Sequence, residues 1–164
     1  MNVRKILSIL LIVIWMITIF YFSHQQGTGS SKTSEKVSEI IINLFDIRNQ
    51  LSNEERNELK EIINPVIRKI AHYTIYTLGG ILLINCMHTL LENKEAIIYS
   101  VIIGILYAIT DEVHQLFVIG RSGRAEDVLI DSIGILTGIC IFLFINKIVK
   151  YIIKWAKLKR GRIG

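Results

Sequence analysis

This sequence predicts an all-α, polytopic membrane protein with about four transmembrane helices and a short amphipathic helical insert between the first and second. Three observations carry that expectation. Apolar residues fall in long blocks rather than alternating with polar ones. Four blocks reach the roughly 20 residues needed to cross a ~30 Å hydrocarbon core. The charges collect between the blocks, as they do when lipid is the solvent. With 164 residues, 51% of them hydrophobic, and a mean hydropathy of +0.47, the chain has room for four spans and little else. It reads as one membrane domain covering residues 1–164.

The first span is expected over about 6–22, behind Arg4 and Lys5. A signal peptide also opens with a positive start and an apolar run. Here, however, the run is long for that role, and Ser-His-Gln-Gln-Gly follows it instead of a small-x-small cleavage site, so a retained helix is the better reading. Residues 23–65 are polar. Gly27 to Ser31 reads as a loop. Val37, Ile40, Ile41, Leu44 and Phe45 give the apolar face of a short helix, and Ser52 with Glu55 forms a capping box opening a second one that runs to about Ile63. Both are expected to lie on the membrane surface or over the bundle mouth. The second span follows from Pro65, over about 66–91, because proline is tolerated in a first helical turn. The third covers about 96–117 and the fourth about 128–149, leaving a basic tail at 150–164. No internal repeat is visible.

The net charge of +5 raises the possibility of nucleic acid. No basic stripe interleaved with aromatics accompanies it, so no nucleic-acid partner is expected. Cys86 and Cys140 fall inside spans, where they pack as small apolar residues more readily than they pair. Lys and Arg are almost equally numerous on the two sides of a four-span arrangement. Their placement decides the orientation: the tail is dense in cations with no acid among them, whereas the 23–65 segment balances its charges. That favours a plasma-membrane protein with both termini in the cytoplasm, its tail pressing on anionic lipid.

Polar residues then gather at one end of the bundle. His24 lies just past the first span, and Arg68, Lys69 and His72 open the second. Asp111, Glu112, His114 and Gln115 close the third, and Arg121, Arg124, Asp127 and Asp131 lead into the fourth. Ionisable groups inside a bilayer cost ~2.5–3.5 kcal/mol each on insertion scales and by default mark function. Arg68, His72, Tyr76 and Gly79 share one helical stripe. Asp111 shares a face with His114 and Gln115, and Asp127, Asp131, Gly134 and Gly138 form a third stripe. The Gly134/Gly138 pair permits close helix approach, so Asp131 should contact a neighbouring helix, unlike Asp46 in the surface segment. Facing one another, the stripes would line a pocket open to the outer surface, with Arg68 or Arg124 set against Asp111 or Asp131. His72, His114 and two carboxylates are permissible metal ligands, but their spacing matches no dedicated motif, and neither metal nor cofactor is expected. His24 and His88 read as interfacial polar residues.

Two motifs here carry a family resemblance. Arg-Lys-x-x-His (Arg68 to His72) with Tyr76 and Leu78-Gly79 resembles the VanZ-like membrane proteins. So does Asp-Glu-x-His-Gln-x-Phe-x-x-Gly-Arg (Asp111 to Arg121) with its trailing Asp127-x-x-x-Asp131-x-x-Gly134. The resemblance covers about residues 6–145, and its second motif is the specific one. Phe22-Ser23-His24-Gln25 departs from the family's pattern by lacking a following proline. The resemblance implies a bacterial envelope protein of a family named for resistance to the lipoglycopeptide teicoplanin. The Ile- and Lys-rich composition suits a low-GC bacterium.

Three functions suit these residues. The first is binding of a membrane-lipid headgroup, a lipid-linked cell-wall intermediate or a lipoglycopeptide, with Arg68, His72, Gln115, Arg121, Arg124, Asp127 and Asp131 as contacts. The second is a membrane-embedded enzyme acting on a lipid-linked headgroup, with His114 as general base, Asp111 or Glu112 orienting it, and the arginines stabilising phosphoryl charge. The third is a structural protein whose charge cluster locks the bundle.

Overall fold

The computed structural model describes residues 2–24, 27–46, 50–121 and 123–160, the side chains at 27–33 and 160 excepted. Five helices account for the fold: α1 (Val3–His24), α2 (Gly27–Phe45), α3 (Asn53–Leu90), α4 (Asn93–Gln115) and α5 (Ala125–Arg160). Helices α1, α3, α4 and α5 are each long and apolar enough to cross a membrane. No strand occurs among the described residues. Gln25, in the Phe22-Ser23-His24-Gln25 segment, and Arg48 and Arg162, which enter the charge balance, lie outside the described residues.

Helix α3 is the axis of the bundle. It packs most extensively on α5 and also meets α1, α2 and α4. Its start is fixed by the expected capping box: the Glu55 amide donates to Ser52 Oγ at 3.3 Å, and the Ser52 amide donates to Glu55 Oε2 at 2.8 Å. The sequence reading stops this helix near Ile63 and begins another at Pro65. Instead a single 38-residue helix runs through Pro65. Proline removes one amide bond, to the Glu61 carbonyl. Glu61 is an exposed residue, so the lost bond falls outside the buried core and the helix continues.

The insert differs from expectation in two further ways. Residues 27–31, read as a loop, form the first turn and more of α2. On α2, Ser34, Ser38 and Ile42 are buried, while Ile40, Leu44 and Phe45 of its apolar face point outward. Small serines let α2 approach α3 closely, and the larger apolar side chains are left facing outward, where a membrane surface would receive them. Asp46, read as a solvated residue, is in fact buried. It accepts from Arg56 Nη2 at 2.6 Å and from the Gln50 amide at 2.8 Å, clasping the end of α2 to α3.

The core follows from small residues at the crossings. A Cβ at Gly138 would land on the Thr77 carbonyl oxygen, one at Gly80 on the Ile135 carbonyl, and one at Gly134 2.7 Å from the Tyr73 carbonyl. Helices α3 and α5 therefore touch backbone to backbone. Trp15 of α1 is buried; its indole N–H donates to the Ile75 carbonyl at 2.9 Å, and its ring covers Gly79. Tyr107 of α4 donates to the Met16 carbonyl at 2.7 Å. Around this centre the outer faces remain apolar and exposed, as lipid contact requires. Cys86 is buried and Cys140 exposed, and both are free thiols.

Candidate functional site

The end of α1, the middle of α3, the end of α4 and the start of α5 converge at one end of the bundle. Close α3–α5 contact brings Asp131 against α3, where its Oδ2 stands 3.5 Å from His72 Nδ1 without completing a hydrogen bond. Asp111 and Glu112 join them from α4. One ligand-type atom from each of His72, Asp111, Glu112 and Asp131 falls within 4.8 Å of the others. All three carboxylates are buried, Asp131 completely.

A chain of hydrogen bonds links this cluster to the rim. Gln115 Nε2 donates to Asp111 Oδ2 at 3.1 Å and reaches Ser23 Oγ at 3.4 Å. Arg121 Nη1 donates to Gln115 Oε1 at 3.2 Å, and Nη2 to the Phe22 carbonyl at 2.8 Å. The Arg124 amide donates to Glu112 Oε2 at 2.9 Å. The loop between α4 and α5 is thus tied both to the end of α1 and to the buried carboxylates. Gly120 makes its turn with φ of 76°, a left-handed conformation that glycine adopts without strain.

Two cavities open beside the cluster. A polar one of about 160 Å³ is lined by Pro65, Arg68, Lys69, His72, Gln115, Arg124, Asp127, Ile130 and Asp131. A larger, mainly apolar one of about 350 Å³ lies among α1, α2, α3 and the loop, lined by Ile19, Phe22, Val37, Ile67, Ala71 and Ile75, with Arg68 and Arg121 among its polar residues. Arg68 and His72 line both. Burial, and then the neighbouring Arg68 guanidinium, pull Arg121 below its ordinary pKa range, though an arginine stays charged in any case.

The structure sorts the expected residues. His72, Gln115, Asp131 and the carboxylates Asp111 and Glu112 meet at the buried cluster, while Arg68, Arg121, Arg124 and Asp127 line the cavities above it. His114 faces α1 instead. Its ring stacks on Phe20 at 4.6 Å and on His24 at 5.5 Å, and its Nε2 has no hydrogen-bond partner among the described residues. The partner of Asp111 is Gln115, a helical turn away, and not His114. Neither Arg68 nor Arg124 forms an ion pair with Asp111 or Asp131 among the described residues. The acids lie deeper than the guanidinium groups, and Lys69 pairs with Glu126 at 3.9 Å. The apolar groove is absent from the sequence reading because its walls come from three helices whose relative placement no local pattern encodes. His88 stacks on Phe142 at 5.8 Å, away from the site.

Four crossing helices with a buried acid–histidine cluster at one end define a multi-pass membrane protein with an internal polar site. The chain belongs to the VanZ/LLP1 family, whose model matches residues 8–146. Comparison with curated proteins and with solved structures gives no match.

Proposed function

We propose that the protein binds an anionic lipid headgroup, or a lipid-linked intermediate bearing one, at this end of the bundle. One observation carries the reading: Arg68 lines both a polar cavity and an apolar groove, so charge and grease meet at one side chain. An amphiphile needs that pairing. Its phosphate would sit by Arg68 and Arg124 on the polar side, and its chain along Ile19, Phe22, Ile67 and Ile75. Arginine suits a phosphate because its planar fork donates two hydrogen bonds at once. Arg121 beside Arg68 adds to the field, since two neighbouring guanidinium groups favour an anion between them. The groove volume falls in the range of small-molecule sites, roughly 300–1,000 Å³. Lipoglycopeptide tolerance is the cellular role we attach to this site, through the lipid or lipid-linked target it would hold.

A second reading, a membrane-embedded enzyme acting on a lipid-linked phosphate, is favoured by the His72–Asp131 pair at the cavity floor. In that reading His72, rather than His114, would act as general base, and Asp131 would orient it.

Lipid retention tests the proposal. Wild-type protein purified in mild detergent is expected to retain phosphatidylglycerol in preference to phosphatidylcholine, as read by native mass spectrometry, and Arg68→Gln to lose that preference. Equal retention of the two lipids by the wild type would refute it. Teicoplanin tolerance of cells expressing each form then tests the cellular role.

A further inference from the structure

We propose that His72, Asp111, Glu112 and Asp131 bind a divalent first-row transition-metal ion, with Zn²⁺ and Mn²⁺ as the candidates. The inference stands on the buried donor set and is independent of lipid binding.

The argument begins with unsatisfied atoms. Both oxygens of Asp131, Oε1 of Glu112 and Nδ1 of His72 are buried without a hydrogen-bond partner. Asp131 is 0% exposed and Glu112 4%. Buried polar atoms are nearly always paired, and an orphan demands an explanation. These orphan atoms belong to three of the four residues whose ligand-type atoms cluster within 4.8 Å, and they come from three helices, where a bound cation would give them a common partner. Among the described residues Asp131 meets one basic side chain within ion-pair range, His72 at 3.5 Å, and that contact completes no hydrogen bond. A divalent ion would satisfy the orphan atoms and balance the acids together.

The geometry is close to what an ion requires. Donors ~2.1 Å from a common centre stand about 3.4 Å apart in a tetrahedron and at most about 4.2 Å apart in an octahedron. The four donor atoms lie within 4.8 Å of one another before any ion draws them in, so small side-chain rotations close the difference. The bracing has the form that metal sites use. Asp111 accepts from Gln115 through Oδ2, and Glu112 accepts from the Arg124 amide through Oε2, which fixes each carboxylate while leaving its other oxygen for a ligand. One imidazole with three carboxylates suits a borderline ion. Thiolate-seeking metals are disfavoured because Cys86 and Cys140 are not in the cluster. His72 and Asp131 also line the polar cavity, so the ion's open face would meet whatever enters it.

The experiment uses full-length protein in detergent, stripped with chelator, reloaded with Zn²⁺ or Mn²⁺ alone and desalted. Elemental analysis should find about one ion per chain in the wild type. Asp131→Asn and Glu112→Gln should hold almost none, and Gln115→Ala should bind ~10–100-fold more weakly. Arg68→Gln should bind the ion like the wild type while losing lipid selectivity, which separates failure of this proposal from failure of the lipid reading. Should the acid variants misfold, X-ray absorption on the loaded wild type decides. A first shell of oxygen with one imidazole supports the site. Sulfur ligands, more than one imidazole, or binding well below one ion per chain overturns it.

Discussion

Gly138→Ala is the sharpest perturbation of the bundle. Its Cβ would fall on the Thr77 carbonyl oxygen, which is backbone and cannot rotate aside. Restoring a normal contact of ~3.5 Å requires α3 and α5 to separate by roughly 1 Å or more. Overpacking of this kind costs about 1–3 kcal/mol. Separation would also draw Asp131, on the same stripe of α5, away from His72. Gly104→Ala is the comparison, because its Cβ would meet a side chain and not backbone, Ile135 with Cγ2 at 2.6 Å and Cδ1 at 3.1 Å. Thermal unfolding in detergent, or unfolding titrated with a denaturing surfactant, should place Gly138→Ala well below Gly104→Ala. Equal stability of Gly138→Ala and wild type would refute the backbone contact between α3 and α5.

Two further outcomes follow from parts outside the buried site. Burial works against ionisation of Asp46, but the Gln50 amide, the Arg56 guanidinium and the Leu51 amide outweigh it and hold its carboxyl below the ordinary range. The clasp between α2 and α3 is therefore complete above the unfolded carboxylate value of about 3.9 and is lost as pH falls through the lower folded value; protease cleavage near 46–52 should rise in that acid window, and Asp46→Asn should be cleaved readily at neutral pH as well. Reporter fusions at Gly164 and at Ser52 should read opposite sides of the membrane, with Gly164 cytoplasmic because the tail is basic and free of acids; an external reading at Gly164 would reverse the assigned orientation.

How much of this was legible in the sequence depended on the range of the signal. The four helices able to cross a membrane were, because mostly apolar blocks of about twenty residues have one economical use. The Ser52–Glu55 cap was, because its chemistry closes within three residues. Gly134 and Gly138 were, because a small-residue stripe states its purpose on one helix. The Pro65 boundary was misplaced: a local rule ends a helix there, but the bond that proline removes falls at Glu61, an exposed residue, and the helix runs on. The buried Ser34 and Ser38 of α2 were not legible, because nothing local says which polar residues of that helix meet α3. His114 and His72 sit in equally suggestive motifs, and only the packing of α5 against α3 decides which of them meets Asp131. The shared role of Arg68 in two cavities is likewise a property of helices brought together.

The unbroken course of α3 through Pro65 has a mechanical consequence. Tyr73, Thr77 and Gly80 are all held against the α5 backbone, at Gly134, Gly138 and Ile135, so the fulcrum nearest the free end of α3 is Tyr73, next to His72. At 1.5 Å per residue, Asn53 lies roughly 30 Å from that fulcrum and His72 about 1.5 Å. A sideways load that shifts the Asn53 end by ~3 Å therefore moves His72 by only about 0.15 Å. Whatever presses on α2, which rides on the long arm through the Asp46–Arg56 clasp, is thus kept from the buried cluster.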